Sequence, residues 1–214
     1  VGLSVTMPGK RVALEVADER TDRAVLVGSA NTLVRTESGW RADCTDIDGM
    51  TGALREIGVS TSERPRAVVI GAGGTALPSV AALADAGITD LTVVARDETR
   101  ARDVVDLAQR LDLGVSLLPF ASSGQLADTC AEAGVVVSTV PAAAAAPIVD
   151  AVAEASALVD VIYDPWPTPL AEAVSARGGR VVGGLVMLLN QAYSQVEQFT
   201  GLPTPRDAMA RALS

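Results

Sequence analysis

Residues Gly71 to Ala76 (Gly-Ala-Gly-Gly-Thr-Ala) follow an apolar run, Ala67–Ile70, and open a helical pattern that continues to Ala86. Their spacing is G-x-G-x-x-A, formed by Gly71, Ala72, Gly73, Gly74, Thr75 and Ala76. The first glycine of such a motif permits a tight turn and the second lets backbone approach a pyrophosphate. The small last residue lets helix and strand pack closely. The helix N-terminus adds free N–H groups and a positive dipole end for phosphates. Taken alone the pattern is also that of a plain glycine-rich turn; its strand–turn–helix–strand setting points to a dinucleotide. The next apolar run, Leu91–Val94, leads into Ala95-Arg96-Asp97-Glu98-Thr99-Arg100. An NAD site usually carries an acid here for the ribose 2′-hydroxyl. Arg96 and Arg100 instead suit a 2′-phosphate, because a guanidinium fork matches phosphate geometry. Asp97 points the other way, and the two arginines tip the reading to NADP.

The chain has no histidine. Proton transfer must therefore use Lys, Asp, Glu, Tyr, Cys or solvent, and histidine triads and imidazole zinc sites are excluded. Asp46-Ile-Asp48-Gly49 is not a calcium loop, since its first position would be Cys44 and its twelfth Arg55, where acids are required.

These residues must be positioned by a globular α/β chain. Of the 214 residues 49% are hydrophobic and only 3% aromatic, so the core is aliphatic and suits helices lying close on a sheet. A formal net charge of −9 argues against a sequence-independent nucleic-acid partner. Cys44 and Cys130 are too far apart for a metal motif and form no disulfide framework; with no signal peptide in view, this suits the cytoplasm. No apolar stretch is long enough for a membrane helix, so no membrane partner is expected. The sequence does not fix the oligomeric state and allows a homodimer.

Along the chain, Val1–Thr6 reads as a strand, with Pro8 opening a helix to Ala17 at a first-turn position that tolerates proline. Asn31–Arg35 and Trp40–Asp43 read as a hairpin turned by Gly39, followed by a helix from Ile47 to Ile57. Gly58–Arg64 and Pro65 form a polar break. Beyond it, Ala67–Ile70, Leu91–Val94, Val115–Leu118, Val135–Val137, Leu158–Ile162 and Arg180–Val182 alternate with helical patterns. This predicts a doubly wound, Rossmann-like parallel sheet. The alanine run 142–146 predicts a small-residue helix packed against it.

Six segments in order resemble the shikimate/quinate dehydrogenase family: Ser4–Lys10, Gly28–Val34, Asp43–Gly49, Ile70–Ala76, Tyr163–Pro169 and Gly184–Gln191. The resemblance runs the length of the chain. It implies a dinucleotide domain, residues 48–183, beside a partial α/β substrate domain, residues 1–47, to which residues 184–214 return as helices. It implies Lys10 as catalytic acid/base with Asp46 as its partner. Thr6, Asn31, Tyr163 and Gln191 become substrate-binding residues. Asp22, Val161 and Gly184 join Gly71–Ala76, Ala95, Arg96, Asp97 and Arg100 around the cofactor. The implied reaction is reversible reduction of 3-dehydroshikimate by NADPH to shikimate. Quinate or amino-shikimate as substrate, and a dinucleotide-binding module without catalysis, stand as alternatives.

The family's N-terminal strand and helix, with a Ser-x-Ser pair that grips the substrate carboxylate, have no counterpart in these residues, which implies weakened substrate affinity. Ser4 and Cys44 stand where asparagine is usual, and Val186 where glycine is common. Cys44 is expected to remove an amide from the cleft wall. Residue by residue, plainer roles exist: a solvated Lys10, helix caps at Thr6 and Asp46, a turn at Asn31, a rim aromatic at Tyr163. Gln191, among Leu188, Leu189 and Ala192, is the exception, because a buried amide needs partners.

Overall fold

The computed structural model describes residues 1–59 and 65–213. The first unit runs β1 (Gly2–Ser4), α1 (Lys10–Val16), β2 (Glu19–Arg20), α2 (Asp22–Val27), β3 (Thr32–Arg35), β4 (Trp40–Asp43) and α3 (Asp46–Ile57). Its four-stranded sheet has the order β1-β3-β4-β2. The expected hairpin is present, with Thr32 opposite Asp43 and Arg35 opposite Trp40. Gly39 turns it at φ +140°, and a side chain there would collide with Asp18. The helix after Pro8 starts later than expected, at Lys10, with Gly9 as its N-cap, so Pro8 lies in the preceding turn. The strand expected over Val1–Thr6 is confined to Gly2–Ser4.

The second unit alternates β5 (Arg66–Ile70), α4 (Ala76–Asp85), β6 (Asp90–Ala95), α5 (Glu98–Arg110), β7 (Gly114–Pro119), α6 (Gly124–Glu132) and β8 (Val135–Ser138). It continues with α7 (Ala142–Ala145), α8 (Val149–Val152), β9 (Ala157–Asp160), α9 (Pro169–Ala176) and β10 (Arg180–Val182). All six strands are parallel, in the order β10-β9-β8-β5-β6-β7. The order reverses between β5 and β8, so this is the doubly wound dinucleotide arrangement with its ligand crevice at the carboxyl ends of those two strands. Val68, Val69, Ile70, Val93, Val94 and the Val135–Val137 run are buried, as strands covered on both faces require. The alanine run forms only the single turn of α7 and passes through a 3-10 turn, Ala146–Ile148, into α8; Ala145 is its buried residue.

One long helix returns from the second unit to the first. α10 (Gly184–Thr200) lies against α3, the most extensive contact between elements in the molecule, and α11 (Arg206–Arg211) follows it. Gly49 and Gly52 of α3 allow the approach. A side-chain carbon on Gly49 would stand 2.6 Å from the Met187 carbonyl oxygen, and one on Gly52 would overlap Asn190. α3 runs without a break through residues 47 and 48 and ends at Gly58, φ +67°. The polar break expected at 58–64 lies mostly outside the described residues.

Candidate active site

Lys10 begins α1 and points inward: its Nζ lies 2.6 Å from Oδ2 of Asp46, with the two side chains 11% and 3% exposed. Asp46 is the first residue of α3, where the helix dipole favours a carboxylate. Neither proposed helix cap holds. The N-cap of α3 is Thr45 and that of α1 is Gly9; the exposed Thr6 only accepts the Gly9 N–H through its carbonyl.

The other Asp46 oxygen accepts from Asn31 Nδ2 at 3.2 Å. The same amide donates to Gln191 Oε1 at 2.9 Å and Thr45 Oγ1 at 3.0 Å, while Asn31 Oδ1 accepts the Thr45 N–H at 2.7 Å. Lys10, Asn31, Asp46 and Gln191 thus form one connected polar network drawn from α1, the approach to β3, α3 and α10. Gln195, one turn beyond Gln191, donates to the Asn31 carbonyl and to Thr32 Oγ1. Sequence reading missed Thr32, Thr45 and Gln195. The i, i+4 spacing of Gln191 and Gln195 was the available signal. Tyr163, 54% exposed beyond β9, and Thr6 are not tied into this network.

The Cys44 thiol is fully buried; burial pushes it up to about 12, the Asp46 carboxylate adding to the effect, so it stays protonated. Behind it lies a denser cluster. Asp43 accepts from Arg23 Nε and Thr21 Oγ1, each at 2.7 Å, from Gln198 Nε2 at 2.7 Å and from the Cys44 N–H at 2.8 Å. Burial alone would raise the Asp43 carboxyl, but the Arg23 and Thr21 hydrogen bonds outweigh it and hold the group at about 2.

Across from this network lies a cleft of about 460 Å³ lined by Gly71, Ala72, Gly73, Ala95, Arg96, Asp97 and Arg100, with Phe120, Thr139, Val140, Pro141 and Ala144. Gly71 has φ +101°, and a side chain on it would meet Thr139 Oγ1 and Val140, so this turn requires glycine. No atom outside its immediate neighbours approaches the Cβ position of Gly73, leaving its backbone open to the cleft. Asp97 is committed elsewhere: as N-cap of α5 its Oδ1 accepts the Thr99 N–H at 2.8 Å. Arg96 and Arg100 line the same cleft as Asp97, with Arg96 5.9 Å from the centre of the Phe120 ring. Residues 139–144 were missed although they follow β8, the strand beside the reversal in sheet order.

Gly74, Thr75 and Ala76 sit behind the turn at the start of α4, with Ala76 buried. A side-chain carbon on Gly74 would stand 2.9 Å from Met7 Sδ, so the loop leading to Lys10 abuts the glycine turn. Val161 and Gly184 meet at the carboxyl end of β9, where any side chain on Gly184 would collide with the Val161 carbonyl. Asp22 is exposed in the first turn of α2 and does not line the cleft. A second crevice of about 430 Å³ lies at the amino ends of β5, β6 and β7, the wrong end of a parallel sheet for a ligand site.

Residues 184–213 match the shikimate 5′-dehydrogenase C-terminal domain, and residues 67–181 match the saccharopine dehydrogenase NADP binding domain. A shikimate dehydrogenase (NADP(+)) of Microcystis aeruginosa is 30% identical over 221 residues, covering 99% of this chain and 77% of that protein. The chain belongs to the shikimate dehydrogenase family. Mycobacterium tuberculosis shikimate dehydrogenase superposes with a TM-score of 0.91 at 57% identity, over 100% of this chain and 78% of that one. The Thermus thermophilus enzyme, solved with NADP(H) and shikimate, gives 0.77 at 26% identity, over 99% and 77% of the two chains.

The Asp43 cluster makes stability pH-dependent. A carboxyl held near 2 instead of its ordinary 3.8 adds stability that is fully present above pH 4 and is lost as pH falls toward 2. The shift corresponds to roughly 2 kcal/mol at 1.36 kcal/mol per unit. In urea titrations the advantage of wild type over Asp43→Asn should shrink by about that amount between pH 6 and pH 2; an unchanged gap would contradict the assignment.

Proposed function

We propose that this chain catalyses the reversible NADPH-dependent reduction of 3-dehydroshikimate to shikimate. The observation that carries the reading is the buried Lys10–Asp46 pair, held by Asn31 and Gln191 and approached by the glycine turn through Met7. The Microcystis aeruginosa and Mycobacterium tuberculosis proteins, matched over nearly the whole of this chain, are shikimate dehydrogenases.

The cleft suits NADP by its own chemistry. Gly71 to Gly73 offer a backbone free of side-chain obstruction where a pyrophosphate would lie, and Arg96 and Arg100 offer guanidinium groups to a 2′-phosphate. When bound, the cofactor supplies the hydride. The chain supplies the rest. Lys10, as an ammonium, gives a proton to the oxygen of the carbonyl being reduced and recovers one in the reverse direction. Asp46 holds and aims that ammonium, and Asn31 fixes the carboxylate from its other side. Gln191 completes the wall, and Thr6 and Tyr163 are the further substrate contacts of this reading. Val161 and Gly184 border the cofactor, with Ala72, Gly74, Thr75, Ala76, Ala95 and Asp97 shaping its turn. Residues 1–47 with 184–214 then form the substrate side and residues 48–183 the cofactor side. The same reading places the enzyme in the cytoplasm, which its two free buried thiols suit, and allows a homodimer.

Replacing Lys10 with Ala should lower kcat for NADPH oxidation by 3-dehydroshikimate by about 10²–10⁴-fold, the range for general acid–base help, and leave NADPH affinity nearly unchanged. A wild-type kcat would remove Lys10 from the mechanism. Replacing Arg96 with Leu should weaken NADPH binding by about 1.5–3 kcal/mol and leave NADH binding nearly unchanged. Equal losses for both cofactors, measured by fluorescence titration, would show that Arg96 does not read the 2′-phosphate.

A further inference from the structure

Asp46 is bracketed along the chain by two other acids, Asp43 at the end of β4 and Asp48 in the first turn of α3. One side chain spans both. Arg23 of α2 donates from Nε to Asp43 Oδ1 at 2.7 Å, from Nη2 to Asp43 Oδ2, and from Nη1 to Asp48 Oδ1 at 2.8 Å. The Asp43 carboxylate is 4% exposed, and Gln198 of α10 closes it from the far side. The segment Asp43–Asp48 is therefore gripped at both ends by a rigid planar group, and Asp46 reaches Lys10 from within the gripped segment.

We infer that Arg23 is a positioning residue for proton transfer: by clamping Asp43 and Asp48 together it fixes the backbone from which Asp46 holds the Lys10 ammonium. Arg23 touches neither reacting group; it acts through Asp46. The inference rests on the Lys10–Asp46 reading above. Its physical basis is the difference between arginine and lysine. A guanidinium meets one carboxylate through two parallel N–H bonds and keeps a third directed at another, whereas an ammonium is a point charge on a flexible stem. Misplacement of a catalytic group by about 1 Å is enough to cost up to 10²-fold in rate.

The test is Arg23→Lys, which keeps the charge and loses the fork, with Lys10→Ala and wild type alongside. Each protein is assayed with NADPH and 3-dehydroshikimate at a temperature where circular dichroism shows it fully folded. Positioning predicts kcat lowered about tenfold, KM and NADPH affinity within about twofold of wild type, and a larger solvent deuterium isotope effect on kcat. A merely structural role predicts a lower melting temperature with kcat and the isotope effect unmoved, and that result would overturn the inference. If Arg23→Lys does not fold, Asp48→Ala decides. It releases one end of the clamp at a carboxylate that is 32% exposed, leaves the buried pair intact, and should lower kcat at least threefold with the same isotope signature. Wild-type kcat in that variant would equally overturn it. Failure of the underlying reading looks different, because Lys10→Ala would then itself turn over normally, and the inference would fall with it.

Discussion

An ammonium and a carboxylate withdrawn from water, 2.6 Å apart, impose the requirement that the rest of this structure meets. A buried ion pair is a weak source of stability, since desolvation of both charges offsets most of their attraction, yet losing one partner costs about 3–5 kcal/mol. Such a pair persists only where its remaining hydrogen-bonding capacity is satisfied. Here Asn31 occupies the second Asp46 oxygen and is itself held by Thr45, Gln191 and Gln195. The network draws on α1, α3, α10 and the strand between them, so the site exists only when those four elements are docked.

Docking is made possible by small residues. α3 and α10 approach closely because Gly49 and Gly52 present no side chain to Met187 and Asn190. That contact brings Gln191 and Gln195 over Asn31 and Gln198 over Asp43. On the opposite side, Met7 against Gly74 sets the Lys10 loop on the glycine turn. The cofactor cleft and the proton-transfer pair are thus fixed to each other through packing at both ends, and the glycines serve geometry in one place and phosphate access in another.

The parallel sheet was legible because doubly covered strands read as unbroken apolar runs, and each of the six lay where its run predicted. The glycine turn and the arginines were legible because their chemistry is local in sequence. Asp97 was ambiguous on the page, and its role as a helix cap depended on where α5 begins, which residue spacing sets only to within a turn. Apart from Gln191, an amide set among apolar residues, the polar network was visible only through family resemblance, since its members come from positions 10, 31, 46 and 191 and share no periodicity. The Arg23 clamp and the burial of Cys44 were invisible for the same reason. They are long-range consequences of how β4 meets α2 and α10, and nothing in the local sequence distinguishes Arg23 from a solvated helix residue.

The central claim is that Lys10 and Asp46 act as one catalytic unit. It is tested most directly by a double-mutant cycle on kcat, comparing Lys10→Ala, Asp46→Ala and the two together with wild type. Residues that work as a unit are strongly non-additive. The double variant should be no slower than the slower single variant, within about threefold. If the two losses multiply instead, Lys10 and Asp46 contribute separately, and the ion pair is not the group that delivers the proton.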